Sequence, residues 1–301
     1  SDDIINLRDH HRSHSQIISF SNKFFYQENL RIATKYENLK IIKDDNPAVR
    51  WINCIGETSK PTTGGAFNIK EANEVVNQLK DLIFNKNYKG TIGVVSPFRL
   101  QANKIRELVF QDEKLLAGLN NLEFISDTVH KFQGDERDLM IFSPVVSKNI
   151  SRGALGFLKS NGNLFNVAIT RARSTLIVIG DLGKCLESGI DYLSGFAEYA
   201  SNLKVEEEKK EKEVKQDYGI DYPTVTNPHQ VSDWEKVFYK ALYEKGIKTI
   251  PQYNIDQYIL DLAIIKDDRR LDIEIDGERY HRDWTGELSR KDQIRNQRMF
   301  E

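Results

Sequence analysis

Four short apolar runs decide most of what this chain can become: "RWINCI" (50–55), "TIGVVS" (91–96), "DLMIFS" (138–143) and "TLIVIG" (175–180). A strand that is apolar at nearly every position has both faces covered, which is the situation of a central strand in a parallel sheet. Between and after these runs, "EANEVVNQLKDLIF" (71–84) and "LQANKIRELVF" (100–110) space their apolar residues as amphipathic helices do. Buried strands alternating with such helices predict an α/β layer on a mostly parallel sheet over residues 1–203.

The formal net charge of the 301 residues is -2, so the chain as a whole is not drawn to nucleic acid or to a membrane. Any nucleic-acid contact has to come from local basic surface. Cys54 and Cys185 stand far apart, and no CxxC pair or His/Cys ligand spacing occurs, which argues against a zinc site or a disulfide framework and for a reduced, cytoplasmic setting. No signal peptide is evident, and no apolar run approaches the ~20 residues of a membrane span. The chain opens at "SDDIINLRDHH" and stops inside a helical pattern at "RNQRMFE", and both ends read as cuts through something larger.

"VEEEKKEKEVK" (205–215) has balanced charge and almost nothing apolar, which fits a solvated helix or a linker. "YPTVTNPHQ" follows, with two prolines that break regular structure. A charged linker is therefore expected over 204–229 and a second domain over 230–301. That domain opens with "SDWEKVFYKALYEKG", in which Ser232 and Glu235 stand at capping-box spacing. Trp234, Val237, Phe238, Ala241 and Leu242 form its apolar stripe, and Gly246 ends it. Three strands, "IKTIPQY", "QYILDLAII" and "LDIEIDG", and a closing amphipathic helix, "LSRKDQIRNQRMF", complete the unit.

Read as a strand, "LDIEIDG" sets Asp272, Glu274 and Asp276 on one face and Leu271, Ile273 and Ile275 on the other. If it pairs with the strand carrying Asp261, Asp261 and Glu274 come within a few ångströms of each other. Carboxylates that close cannot all stay ionised unaided. A hard divalent cation removes the conflict, and Mg2+ binds one or two carboxylates together with water and phosphate oxygens.

The order Glu235, Asp261, Glu274-Ile275-Asp276-Gly277, His281 resembles the PD-(D/E)XK nuclease superfamily, and within it the branch of the very-short-patch-repair endonucleases. The resemblance implies that Asp261 and Glu274 ligate Mg2+ or Mn2+, with the Ile275 carbonyl as a third ligand and Glu235 reaching the metal through water. Asp276 stands in the catalytic group where the superfamily pattern has a lysine. His281 would act as general acid or base, or orient a water. Arg290, Lys291 and Arg295 would hold DNA phosphates or form a salt-bridged surface helix.

In the first domain, "LRDHHRSHSQIISFSNKFFY", "IGVVSPFRLQANKI", "DTVHKFQGDERDLMIFS" and "LFNVAITRARSTLIVIGD" stand in an order and spacing that resemble the second RecA-like domain of superfamily 1 helicases. The nearest branch is that of the helicase of nonsense-mediated mRNA decay. The resemblance implies that Arg12 and Arg171 stabilise charge on the γ-phosphoryl group of ATP, and that His11 stacks on the base. It also implies that Gln133, Gly134 and Glu136 approach the phosphates and ribose. Ser96, Pro97, Thr128, His130 and Lys131 would touch the nucleic-acid backbone. The histidines of "HHRSH" have no carboxylate at ligand spacing, so they do not read as a metal site.

No GxxxxGK[ST] occurs in these residues, so ATP hydrolysis is expected only together with a first RecA-like lobe. The sequence therefore reads as a RecA-like parallel-sheet domain followed by a small PD-(D/E)XK-type α/β nuclease domain. The two resemblances together imply an ATP-dependent helicase–nuclease on single-stranded or forked DNA; the helicase branch implies 5′-to-3′ movement, and the architecture by analogy implies repair or defence against foreign DNA. The rival expectation is a nuclease-like DNA-binding module without catalysis.

Overall fold

A computed structural model describes residues 9–42, 47–61, 64–132, 134–255, 258–266 and 269–275. The chain divides into two compact units, Ser1–Val205 and Glu206–Glu301.

The first unit is built on β3 (Val49–Asn53), β4 (Ile92–Ser96), β5 (Ile125–Thr128), β6 (Arg137–Phe142) and β7 (Ala172–Gly180). These five strands form one sheet in the order β3-β7-β6-β4-β5, and every pair is parallel. Two short strands, β1 (Asp9–His10) and β2 (Arg31–Ile32), pair separately beside it. All four apolar runs are strands here, but β3 lies at one edge of the sheet and buries only Val49, so it is not the central strand its apolar residues suggested. The fifth strand, "ISDT", is short and polar and lies at the sheet's edge, where a full apolar run is not needed.

Helices cover both faces. α2 (Ile69–Lys80), α3 (Arg99–Phe110) and α4 (Glu113–Leu119) bury Val75, Leu79, Ile105, Val109 and Leu115 against Val94, Leu139, Ile141, Ile177 and Ile179. On the other face α1 (Ser15–Phe25), α5 (Arg152–Ser160), α6 (Gly162–Ile169), α7 (Leu182–Leu186) and α8 (Asp191–Lys215) meet Val95, Met140, Phe142, Leu176 and Val178. Alternate residues of one strand thus serve opposite cores, which is why β6 is buried at all its positions. The α8 helix runs unbroken through "VEEEKKEKEVK".

The connection from β5 to β6 positions the site. A 3-10 turn, Val129–Phe132, replaces the usual crossover helix and lies over the sheet. Val129 and Phe132, one 3-10 turn apart, are both buried in the core. Gly93 of β4 makes room for it: a Cβ there would come within 2.9 Å of the Phe132 ring and overlap Met140.

In the second unit α9 (Asp233–Glu244) precedes β8 (Ile250–Ile255), β9 (Tyr258–Lys266) and β10 (Arg269–Ile273), an antiparallel sheet in the order β10-β9-β8. The capping box forms as expected: Ser232 Oγ accepts from the Glu235 N–H, and the Glu235 carboxylate from the Ser232 N–H. Gly246, with φ +75, follows the helix end. The face turned inward differs from the one expected. Glu235 and Tyr239 are buried, whereas Trp234, Val237 and Phe238 are 73%, 57% and 44% exposed. Leu271, on the apolar face of the third strand of this unit, is 58% exposed.

Candidate functional site

The residues expected to meet nucleic acid gather at the C-terminal ends of two neighbouring strands. Ser96 closes β4, Thr128 closes β5, and the two are register partners. Pro97 follows directly, and Lys131 in the turn beyond β5 is exposed. Ser96 itself is fully buried, and its hydroxyl accepts the Phe98 N–H at 3.2 Å. The end of β4 therefore offers Pro97 and backbone outward, and not the Ser96 hydroxyl. His130 lies in the same turn, but its side chain, like all of Gln133, is outside the described residues.

The residues expected to meet nucleotide gather at the opposite strand ends. Gly134 and Glu136 lead into β6, and Arg171 leads into β7, its carbonyl accepting the Arg137 N–H at 3.0 Å. Gly134 has φ +88, a conformation that suits glycine and strains other residues. Arg12, from the loop after β1, reaches Glu136 at 2.7 Å although 124 residues separate them. That pair is mostly solvated and worth only about 0–1 kcal/mol, so a competing anion can open it. His11 holds Ala33 O through Nδ1 at 3.1 Å.

α6 ends at Ile169, Arg171 stands in the turn, and Arg173 is already within β7. Arg173 turns toward Asp138 at 3.7 Å. Arg171 does not share that role: its Nε is buried and has no hydrogen-bond partner among the described residues. A buried guanidinium N–H left unmet costs stability, so it marks a place where an anion would fit. The donor set present suits a nucleotide phosphate.

Arg137 was not singled out from the sequence, yet it holds this end together. It is buried and donates to Glu123 O at 3.1 Å and to Glu136 O at 2.8 Å, and it pairs with Asp135. Its only signal in the sequence is a charged pair, Arg137-Asp138, opening a strand that is apolar from Leu139 onward.

In the second unit, the β9–β10 register pairs Ile273 with Leu262 and Asp272 with Ala263. Continuing it by one residue sets Glu274 opposite Asp261, on one face of the sheet. Asp261 Oδ2 accepts the Ile275 N–H at 2.7 Å, which closes the strand pair at the carboxylates. Asp272, on the same face, is paired with Arg270 at 2.7 Å. Glu235 is 3% exposed, and both its oxygens are engaged: Oε1 accepts the Ser232 N–H at 2.7 Å, and Oε2 accepts the Tyr222 hydroxyl at 3.4 Å. Asp276 and His281 lie outside the described residues, as do Arg290, Lys291 and Arg295.

Two carboxylates and neighbouring backbone oxygens suit Mg2+, which keeps much of its water. Among the described residues no three His, Cys, Asp or Glu side chains converge to hold a metal. Tyr222 was missed because it lies in a stretch read as linker. That stretch is tied down: Asn227 and Gln252 exchange two hydrogen bonds, at 2.8 and 2.7 Å, and Asp217 pairs with Lys248 at 2.8 Å. No described helix is long and apolar enough to cross a membrane.

Residues 1–183 match the AAA domain family. Helicase sen1 of Schizosaccharomyces pombe is 33% identical over 181 residues, covering 57% of this chain and 10% of that protein. An uncharacterized ATP-dependent helicase of Methanocaldococcus jannaschii is 31% identical over 186 residues, covering 57% of this chain and 26% of that protein. The DNA replication ATP-dependent helicase/nuclease DNA2 of Bos taurus is 28% identical over 209 residues, 59% of this chain and 19% of that protein. The chain thus spans between about a tenth and a quarter of the length of these relatives.

Proposed function

We propose, from the premise that this chain belongs to the AAA domain family through residues 1–183, that its first unit is the second RecA-like lobe of a superfamily 1 helicase motor acting on nucleic acid. The observation that carries this reading is the placement of two residue sets at opposite strand ends, joined by the buried turn Val129–Phe132. One set, Arg12, Gly134, Glu136 and Arg171, faces nucleotide; the other, Pro97, Thr128 and Lys131, faces the nucleic-acid backbone. Arg171, with its unmet Nε, and Arg12, once released from Glu136, neutralise charge building on the γ-phosphoryl oxygens. His11 stacks on the base. Hydrolysis needs a first RecA-like lobe, which carries the phosphate-cradling loop.

The test pairs this chain with such a lobe and measures ATP turnover stimulated by single-stranded DNA. Arg171→Ala is expected to lower turnover by about 10³-fold or more with DNA binding retained. Unchanged turnover in that variant removes the assignment.

The second unit is proposed to be a nuclease domain whose Asp261 and Glu274 hold Mg2+ or Mn2+. The bound ion would supply charge stabilisation at the scissile phosphate and a more acidic water. The support is the shared face of Asp261 and Glu274 across the β9–β10 pair. A second reading is a nuclease-like DNA-binding module, in which Glu235 serves the fold through its bonds to Ser232 and Tyr222. Divalent-dependent cleavage of single-stranded and forked DNA, abolished in Glu274→Ala, decides for the nuclease. DNA binding without cleavage decides for the module.

A further inference from the structure

The half-buried phenol of Tyr222 has no place in the sequence motifs, yet it meets one of their carboxylates. Its hydroxyl donates to Glu235 Oε2 at 3.4 Å, while the Ser232 N–H holds Oε1 of the same carboxylate at 2.7 Å. Glu235 is thereby gripped from its own helix cap on one side and from the 216–230 stretch on the other.

The stretch is shaped to put the phenol there. The Tyr222 ring meets the Tyr239 ring edge-on at 5.3 Å between centroids. The Tyr239 hydroxyl donates to Gly219 O at 2.7 Å, and Gly219, with φ +83, turns the chain. Asp217, two residues earlier, accepts the Gly219 N–H at 3.0 Å and the Tyr243 hydroxyl at 3.2 Å. Burial raises the Tyr222 pKa, and the nearby charges of Glu235 and Asp261 raise it further. The phenol is therefore a neutral donor to Glu235 throughout the physiological pH range.

We propose that Tyr222 is a positioning residue of the carboxylate site: it holds Glu235 in one orientation, from which that carboxylate meets, through water, a divalent cation held by Asp261 and Glu274. This rests on the carboxylate-site reading given above. Hydrogen-bond partners behind a metal site hold its ligand groups in one orientation, and their removal weakens binding without removing the ligands.

The experiment uses the whole chain, with Tyr222→Phe, Glu235→Gln, the double variant and Asp261→Asn. Tyr222→Phe keeps the ring against Tyr239 and removes only the proton donor. Two measurements are made. The first is the melting temperature without metal, analysed as a double-variant cycle; the second is Mn2+ binding, followed by loss of the free-ion electron paramagnetic resonance signal. The proposal expects non-additive melting shifts for Tyr222→Phe and Glu235→Gln. It also expects about 10-fold weaker Mn2+ binding in Tyr222→Phe, overcome by excess Mn2+, with binding abolished in Asp261→Asn.

Additive melting shifts would show that the two side chains do not act together and would overturn the proposal. Coupled shifts with unchanged Mn2+ binding would reduce Tyr222 to a packing role and overturn it equally. Wild-type protein that binds no Mn2+, yet shows coupled shifts, would remove the carboxylate-site reading itself and the positioning role with it.

Discussion

Glu71 shows how one buried side chain can set a pH response. It sits in the first turn of α2 and accepts the Ser143 hydroxyl at 2.7 Å, the Val145 N–H at 3.0 Å and the Asn68 amide at 3.3 Å. Those bonds favour the charged form, but burial outweighs them and pushes its pKa up to about 8 from 4.5. A folded value above the unfolded one means that the proton is bound more tightly in the fold. The contribution is complete below pH 4.5 and is lost as the pH rises toward about 8. Glu71→Gln removes the ionisation and nearly keeps the shape. Its stability relative to wild type is expected to rise between pH 5 and pH 9 by about 3–4 kcal/mol, read from urea unfolding at the two pH values. His10 runs the other way. Its Nε2 accepts the Ser13 N–H at 3.1 Å, and burial, then the charge of Arg12, lower its pKa from 6.5. The neutral ring therefore stabilises the fold above pH 6.5, and that contribution is lost as the pH falls through the folded value. The His10 ring-proton resonance should titrate with a midpoint below 6.5, and a midpoint above it would contradict the packing of this turn.

At the scale of elements, Gly93 tests how the β5–β6 connection is held. Gly93→Val drives a branched side chain into Phe132 and Met140. Overpacking of this kind costs about 1–3 kcal/mol. It should also lift the turn that leads to Gly134 and Glu136, so nucleotide binding with a first lobe should weaken more than the melting temperature alone suggests. Ser232→Ala, which removes the α9 cap, is expected to cost about 1 kcal/mol by thermal unfolding. These elements also show what the sequence could reveal. β4, β6 and β7 were legible because a strand covered on both faces must be apolar throughout. β5 was not, because an edge strand reading Ile125-Ser126-Asp127-Thr128 carries neither a run nor an alternation. The α9 helix was legible as a helix and misleading as a surface. Periodicity says which residues share a face; it does not say which face turns inward. The inward face here holds Glu235 and Tyr239, whose polar ends find Ser232, legible as the cap, and Tyr222 and Gly219, which lie in a loop with no pattern of its own.

For the whole molecule, the sheet of the first unit holds the two proposed residue sets apart at its opposite ends. The five residues of β4 span roughly 16 Å, the distance over which Val129–Phe132 and the following turn must carry any change from Thr128 to Glu136. Val129 and Phe132 are rooted in the same core as Met140, Phe165 and Phe196, so the connection cannot move alone. Such a unit has to be self-sufficient, and its two cores are. Every buried residue in them lies between Ile17 and Ala200, and α8 has made its last buried contact by Ala200, before the division at Val205. The charged turns of α8 after Val205 add no side chain to either core. Residues 1–205 expressed alone are therefore expected to unfold in one cooperative transition, within about 3 °C of the matching transition in the full chain by calorimetry. A drop well beyond that would mean that residues 206–301 contribute to the stability of the first unit, and its sheet could then no longer be treated as an independent motor lobe.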